Sequence, residues 1–332
     1  MNPVRNHARA RAPKGPSGRA ISNGMKVLVT GGAGFIGSHV VDALIGAGHR
    51  VVVLDNLSSG DKRNIRKGVK FYRMSLGDRK LDNVFKKEKF DAVCHCAAKT
   101  NMRESLIDPF ADIEGNIVGL VNLLQLAAKK YPVKKFVFSS TGGALYGDPE
   151  YVPVDEKHPT RPTSPYGVSK LAGERYLYYY HKVHDLPVVV LRYSNVYGPR
   201  NERKKHVGAV TAFIKHVLRG TPIQVNGSGK QTRDFVFVED IARANMLALK
   251  RKKKDYLTVN TSGGKETNVN EMLRLIEKAA GKKALIKHRP SIRGEIMRSC
   301  MSNAKARKEL GWMPHFSVEQ GVARTVRYLE NL

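Results

Sequence analysis

Tyr166 and Lys170 stand in the run Ser164-Pro165-Tyr166-Gly167-Val168-Ser169-Lys170. Ser164 suits the capping position before a helix and Pro165 its first turn. Tyr166 and Lys170, four residues apart, then share one helical face. A phenol beside an ammonium can act as a general acid–base. Its free pKa is near 10, and taking a proton at neutral pH requires lowering that by about three, or ~4 kcal/mol. An ammonium about 4 Å away supplies on the order of 4 kcal/mol at an effective dielectric of 20. Lys170, with a positively charged cofactor ring, is therefore expected to bring the Tyr166 phenol into working range. On most helices such a pair is only a solvated surface pair, so its meaning depends on what else the chain supplies. Upstream, Lys135-Phe136-Val137-Phe138-Ser139-Ser140 reads as a strand, and the hydroxyl of Thr141 stands at its end, before Gly142-Gly143.

The element that must place a cofactor beside this pair is Lys26-Val27-Leu28-Val29-Thr30-Gly31-Gly32-Ala33-Gly34-Phe35-Ile36-Gly37. A short apolar strand runs into glycines, and helical periodicity begins at Phe35 and Ile36 and continues through Val40, Val41 and Leu44. In that context Gly31 and Gly32 serve a tight turn, Gly34 admits backbone to a pyrophosphate, and Gly37 lets helix and strand pack closely. Free N–H groups at the helix start hold the phosphate charge. The next strand, Arg50-Val51-Val52-Val53-Leu54, ends in Asp55, roughly 20 residues on, where a carboxylate accepts ribose hydroxyls and repels a 2′-phosphate. The cofactor read from these residues is NAD rather than NADP. Asn56-Leu57-Ser58-Ser59-Gly60 is a polar loop over the adenosine end. A later strand, Asp91 to Ala98, ends in the small residues Ala97 and Ala98, which leave room for the nicotinamide ribose. Further strands at Val69–Tyr72 and helices at Leu81–Phe85 and 109–130 complete an alternation that predicts a doubly wound parallel sheet, with the site at the strands' carboxyl ends.

The chain has 332 residues, 41% of them hydrophobic, enough for a large core, and no apolar run long enough to span a bilayer. Its three cysteines argue against a disulfide framework and for a reducing cytoplasm. Cys94 and Cys96 share a strand face without further ligands, so core packing is the reading and no metal is expected. The net charge of +29 is high, yet its lysines and arginines are scattered. The one dense run, Lys250-Arg251-Lys252-Lys253-Lys254, follows a helical pattern over Val238–Leu249 and suits a helix end. No nucleic-acid-binding motif accompanies the charge, so a nucleic-acid partner is not expected. Residues 1–24 hold five arginines and lysines and no acid, and are expected to be disordered, with the folded protein beginning at Met25.

Together these motifs resemble the extended short-chain dehydrogenase/reductase superfamily and, within it, the UDP-glucose 4-epimerase (NAD-dependent epimerase/dehydratase) family. The resemblance runs from Met25 almost to the C-terminus. It includes His95-Cys96-Ala97-Ala98-Lys99, the Tyr166–Lys170 motif, Arg192-Tyr193-Ser194-Asn195-Val196-Tyr197-Gly198-Pro199-Arg200, Gln231-Thr232-Arg233-Asp234-Phe235-Val236 and Leu310-Gly311-Trp312-Met313-Pro314. It implies a Rossmann-type α/β NAD-binding domain over 25–193 and a smaller, mainly substrate-binding α/β part over 194–332. The latter holds a UDP-sugar and contributes elements back to the sheet.

By that pattern Thr141, Tyr166 and Lys170 are catalytic. Lys99 lies at the nicotinamide side, Asn195 contacts the diphosphate, and Arg233 the nucleotide. The family has an Asp at adenine where this chain has Ser75, and an Arg where it has Ile292, which leaves Arg293 as the candidate for the phosphates. Ser299 falls where the family lines the sugar pocket, and its small side chain implies room for an N-acetyl group. The implied activity is interconversion of UDP-glucose and UDP-galactose, including the N-acetylated pair, through a 4-keto sugar. A 4,6-dehydratase usually has Asp-Glu after the threonine, where this chain has Gly142-Gly143. A UDP-glucuronate epimerase or decarboxylase is a further alternative on the scaffold, the decarboxylase lacking its usual loop glutamate. An NAD-sensing binding protein would typically have lost the tyrosine or lysine. The family also implies a cytoplasmic homodimer pairing the helices near 109–130 and 166–184, where Leu171, Tyr178, Tyr179 and Val183 supply apolar surface.

Overall fold

The first six strands are short, β-branched and separated by helices, the pattern that builds a parallel sheet. In the computed structural model, which describes residues 24–202, 207–291 and 296–332, they are β1 (Lys26–Thr30), β2 (Arg50–Asp55), β3 (Lys70–Arg73), β4 (Ala92–His95), β5 (Lys135–Thr141) and β6 (Val188–Tyr193). The second half of the chain adds β7 (Asn195–Tyr197), β8 (Ile223–Asn226), β9 (Thr232–Phe237), β10 (Tyr256–Thr261), β11 (Glu266–Asn268) and β12 (Ile286–Arg289). The main sheet has seven strands in the order β10-β6-β5-β4-β1-β2-β3, all parallel. Strand order reverses between β1 and β4, and that crevice at the carboxyl ends is where such sheets bind ligands. β10 returns from the C-terminal half to close one edge, registering Tyr256 on Val188 and Thr261 on Tyr193.

Both faces of the sheet are covered, so its strands are apolar throughout rather than alternating. Leu28, Val52, Val93, Phe136 and Val188 face one fully buried layer, and Val27, Val29, Val53, Val137 and Val189 the other. Each such side chain contributes about 1.5–3 kcal/mol by leaving water. The C-terminal part has its own core of Val210, Ile214, Phe237, Met272 and Ile276, packed by helices Ala209–Arg219, Val269–Ala280 and Val318–Glu330. Its small sheet runs β11-β9-β7, and β8 pairs with β12 apart from it.

Three local features differ from the sequence reading. The helix expected over 109–130 is continuous but widens into π-type turns at Glu114–Val118 and Gln125–Lys130. In the first of these turns Asn116 Nδ2 donates to Lys99 O, Asp112 Oδ1 and Ser169 Oγ, side-chain demands that a periodicity argument does not see. A short helix, Met102–Ile107, was not expected; Asn101 caps it by accepting from the Arg103 and Glu104 N–H groups. Finally, Gly24 is not part of a disordered segment. A Cβ there would collide with the Gly48 carbonyl, so it packs against the turn before β2. Residues 1–23 lie outside the described residues.

Candidate active site

The glycine turn after β1 is shaped by close backbone approach. Gly31 has φ +69°, and a Cβ on it would lie 2.6 Å from the Ala97 nitrogen at the end of β4. A Cβ on Gly37 would strike the Gly31 carbonyl, so the first turn of helix Phe35–Gly46 can sit directly on the loop. Together they leave a cavity of ≈ 490 Å³ at the switch point. Gly34, Phe35 and Ile36 form its floor at the helix start, and Asp55, Asn56 and Ser59 its β2 end. Ala97, Ala98 and Lys99 close the side after β4.

Asp55 is fixed by N–H groups, Oδ2 accepting from Ala33 and Oδ1 from Leu57. Burial raises its pKa, and these two donors oppose the rise. Gly60 does not line the cavity but packs against Asp55, where a Cβ would stand 3.0 Å from both carboxylate oxygens. Asn56 donates to Ser75 Oγ at 3.2 Å, and Ser75 lines the cavity in place of the family's Asp. A glycine-floored cavity, a helix start directed at it and a buried carboxylate at the far end fit a dinucleotide.

Sequence reasoning missed the opposite wall, which is helical. Ala111, Gly115 and Gly119 line it at four-residue spacing, with Glu114 and Val118 beside them. That stripe of small residues was the available signal. Cys94 is fully buried in the core as expected, but Cys96 reaches the cavity wall.

The catalytic candidates come from two elements. β5 ends at Thr141, whose Oγ1 accepts from the Ala144 N–H at 3.3 Å. Helix Pro165–His184 begins at the Ser164 cap, whose hydroxyl accepts from Gly167 N–H at 3.2 Å. The Thr141 side chain acts on the Tyr166 phenol and favours its ionised form. Lys170 is buried with Nζ 4.2 Å from the centroid of the Phe138 ring on β5, and its charge acts on His95 and Cys96.

Burial dominates the electrostatics of this pair. Burial raises the Tyr166 phenol well above its ordinary range, the Asp112 carboxylate raises it further, and only the Thr141 hydrogen bond opposes them. Burial lowers Lys170 itself to about 8, against the charges of Glu174, Cys96 and Asp112. Behind the pair, Glu174 forms a buried bidentate ion pair with Arg192 (3.0 and 2.6 Å) and accepts from Ser140 Oγ. This brace between helix, β5 and β6 was not legible in the sequence.

The substrate candidates lie around β7 and β9. Asn195 donates to the Asp234 carbonyl at 3.1 Å and is exposed. Arg233 donates to the Thr232 and Ile296 carbonyls, each at 2.8 Å. Asp234 accepts from the N–H groups of Gly263, Gly264 and Met301, and so ties the chain near Ser299 to β9. Arg298, next to Ser299, is clamped by Glu266. A Cβ on Gly142 would collide with Met301 Sδ, which joins that segment to the loop after Thr141. Arg293 lies outside the described residues. Among those residues, no helix is long and apolar enough to cross a membrane.

Comparison with known proteins places this geometry. The model of the NAD dependent epimerase/dehydratase family matches residues 27–260. The crystal structure of a UDP-glucose 4-epimerase with UDP-glucose from Thermotoga maritima is 40% identical with a TM-score of 0.89, covering 92% of this chain and 99% of that one. That of the Thermus thermophilus UDP-glucose 4-epimerase in complex with NAD is 40% identical with a TM-score of 0.85, again covering 92% and 99%. A UDP-N-acetylglucosamine 4-epimerase from Methanobrevibacter ruminantium, in complex with UDP-N-acetylmuramic acid, is 31% identical with a TM-score of 0.86, covering 93% and 99%. The match spans the glycine loop, the Tyr166–Lys170 helix and most of the substrate side, and the chain belongs to the NAD-dependent epimerase/dehydratase family.

Proposed function

We propose that this protein is an NAD-dependent UDP-sugar 4-epimerase that interconverts UDP-glucose and UDP-galactose. The observation that carries the reading is Thr141 acting on the Tyr166 phenol, with Lys170 one helical turn along, on a fold with a dinucleotide-shaped cavity, and followed by Gly142-Gly143 rather than an acid pair. Bound NAD supplies a two-electron carrier that accepts hydride from the sugar and returns it. Gly34, Phe35, Ile36 and Gly37 would hold its pyrophosphate and Asp55 its adenosine ribose; Ala97, Ala98 and Lys99 lie toward the nicotinamide side.

Tyr166 takes the proton of the sugar 4-hydroxyl and later gives it back, and Thr141 hydrogen-bonds the same oxygen. A phenol held neutral by burial is a good final donor. As the initial acceptor it needs added positive charge, which Lys170, one helical turn along, would supply together with the oxidised cofactor ring. Asn195 and Arg233 neutralise and hold the UDP group. Gly142 and Gly143 offer no side-chain acid for elimination of water, so the keto sugar is not dehydrated.

Ser299 governs breadth in this reading. Its small side chain leaves room for a 2-acetamido group, so N-acetylated UDP-sugars are also substrates, and Ser299→Tyr removes that activity while sparing UDP-galactose. Equal losses in kcat/KM for both sugar pairs would assign the selection to another residue. The protein acts in the cytoplasm as a homodimer. The test of the whole reading is to mix purified protein with UDP-galactose and no added reductant. UDP-glucose is the expected product, and a 4-keto-6-deoxy sugar would instead identify a dehydratase.

A further inference from the structure

Neither the cavity nor the UDP-sugar residues account for the chain's net charge of +29. The cations are scattered in sequence, but the parallel topology gathers many of them in space. All seven strands of the main sheet run the same way, so their starts share one edge, opposite the cofactor cavity. Followed across the sheet from β3 to β10, that edge carries one cation after another. Lys70, Arg50 and Lys26 open β3, β2 and β1; Lys89 stands three residues before β4, Lys134 one before β5, and Lys254 two before β10. β6 is the exception, approached by Asp185. The helices returning to this edge end in further lysines, including Lys87, Lys129 and Lys252 just past the last turn of Val238–Lys250.

Some of this charge is compensated. Lys26 and Lys70 share the buried Glu88, Lys134 pairs with Asp91, and Asp255 before β10 is taken up by Arg251. Arg50, Lys87, Lys89, Lys129, Lys252 and Lys254 are exposed, and none is in a salt bridge among the described residues. Lysines at helix ends are favoured by the helix dipole, which accounts for Lys87 and Lys129. It does not account for Arg50 at a strand start or Lys254 before another.

The shape of the array selects the partner. Seven strands about 4.8 Å apart make an edge roughly 29 Å long, whereas a small anion needs cations that converge on a point. A nucleic-acid duplex presents a line of charge, about one phosphate per 1.7 Å of axis. From β3 to β5 the segments at this edge expose no large apolar or aromatic side chain; Tyr178, Tyr179 and Val183 stand out only beside β6 and β10, where helix Pro165–His184 ends. From β3 to β5 the row therefore offers neither anchors for a bilayer nor platforms for unstacked bases.

We propose that the strand-start edge of the main sheet docks the phosphate backbone of duplex nucleic acid, without base preference and independently of the reaction at the opposite edge. This departs from the sequence reading, which took scatter along the chain for scatter in space.

The test is fluorescence anisotropy of a labelled duplex of about 20 base pairs of arbitrary sequence, titrated with the full chain. Binding is expected at about 50 mM salt, weakened roughly 10²–10³-fold at about 200 mM by release of counterions from some five phosphate contacts. The variant Arg50→Glu/Lys89→Glu/Lys254→Glu should bind at least tenfold more weakly at the lower salt, with NAD retention and melting temperature unchanged. Should that variant fold poorly, Lys87→Glu/Lys129→Glu/Lys252→Glu carries the same expectation. Absent binding at low salt overturns the proposal. So does wild-type affinity in the folded variants, which would assign binding to other cations such as those of residues 1–23. Binding to phosphatidylserine vesicles without binding to the duplex overturns it as well.

Discussion

A buried phenol and a buried ammonium shift in opposite directions for one reason: each charged form loses its hydration. Tyr166 is thereby held protonated, and Lys170 is brought down to about 8. The sequence places both groups on one helix, as the structure has them, but not the burial that shifts them or the Asp112 charge that adds to the phenol's rise, because both come from segments far along the chain. Two outcomes follow at this scale. Tyr166→Phe should lower kcat by roughly 10²–10⁴, the usual contribution of a general acid–base, with folding and NAD content preserved; activity within tenfold of wild type would place the base elsewhere. Lys170 is an ammonium below its pKa and neutral above it, so kcat/KM should fall as the pH rises through about 8. A profile flat to about pH 10 would show that the Lys170 charge is not needed.

Among the elements, what was legible was what is local. The β1–glycine–helix unit and the Ser164 cap are written in consecutive residues, and the structure has both. The wall formed by Ala111, Gly115 and Gly119 and the Glu174–Arg192 brace depend on helices and strands meeting across the sheet. Periodicity cannot supply such contacts. The π-type turn around Asn116 likewise follows from partners on three segments.

In the cofactor loop the tightest constraint belongs to Gly37, where an added methyl would meet the Gly31 backbone rather than a side chain able to move. Gly37→Ala should push the helix start away from the loop, lowering NAD affinity at least tenfold and reducing the melting temperature. Titration with NAD followed by intrinsic fluorescence measures the first and calorimetry the second. Unchanged NAD affinity would mean that the close approach is not what shapes the cavity.

For the whole molecule, topology decides what the sequence leaves scattered. It gathers the strand-start cations, and it also exposes apolar side chains on helices Met102–Ile107, Pro109–Ile113 and Pro165–His184. Leu106, Ile107 and Phe110 are 62%, 84% and 81% exposed, and Tyr178, Tyr179 and Val183 stand out from helix Pro165–His184. The homodimer proposed above would cover these side chains, each of which gains about 1.5–3 kcal/mol on full burial. Light scattering at micromolar concentration should give twice the chain mass; a monomer mass would reject it.

The central claim is that one site oxidises and re-reduces the same sugar carbon, with Tyr166 carrying the proton. It is tested most directly with UDP-galactose deuterated at C4, incubated with the purified protein in ordinary water and followed by NMR. The expected product is UDP-glucose that keeps its deuterium at C4, formed by wild type and lost in Tyr166→Phe. UDP-glucose carrying solvent hydrogen at C4, or no UDP-glucose at all, would contradict it.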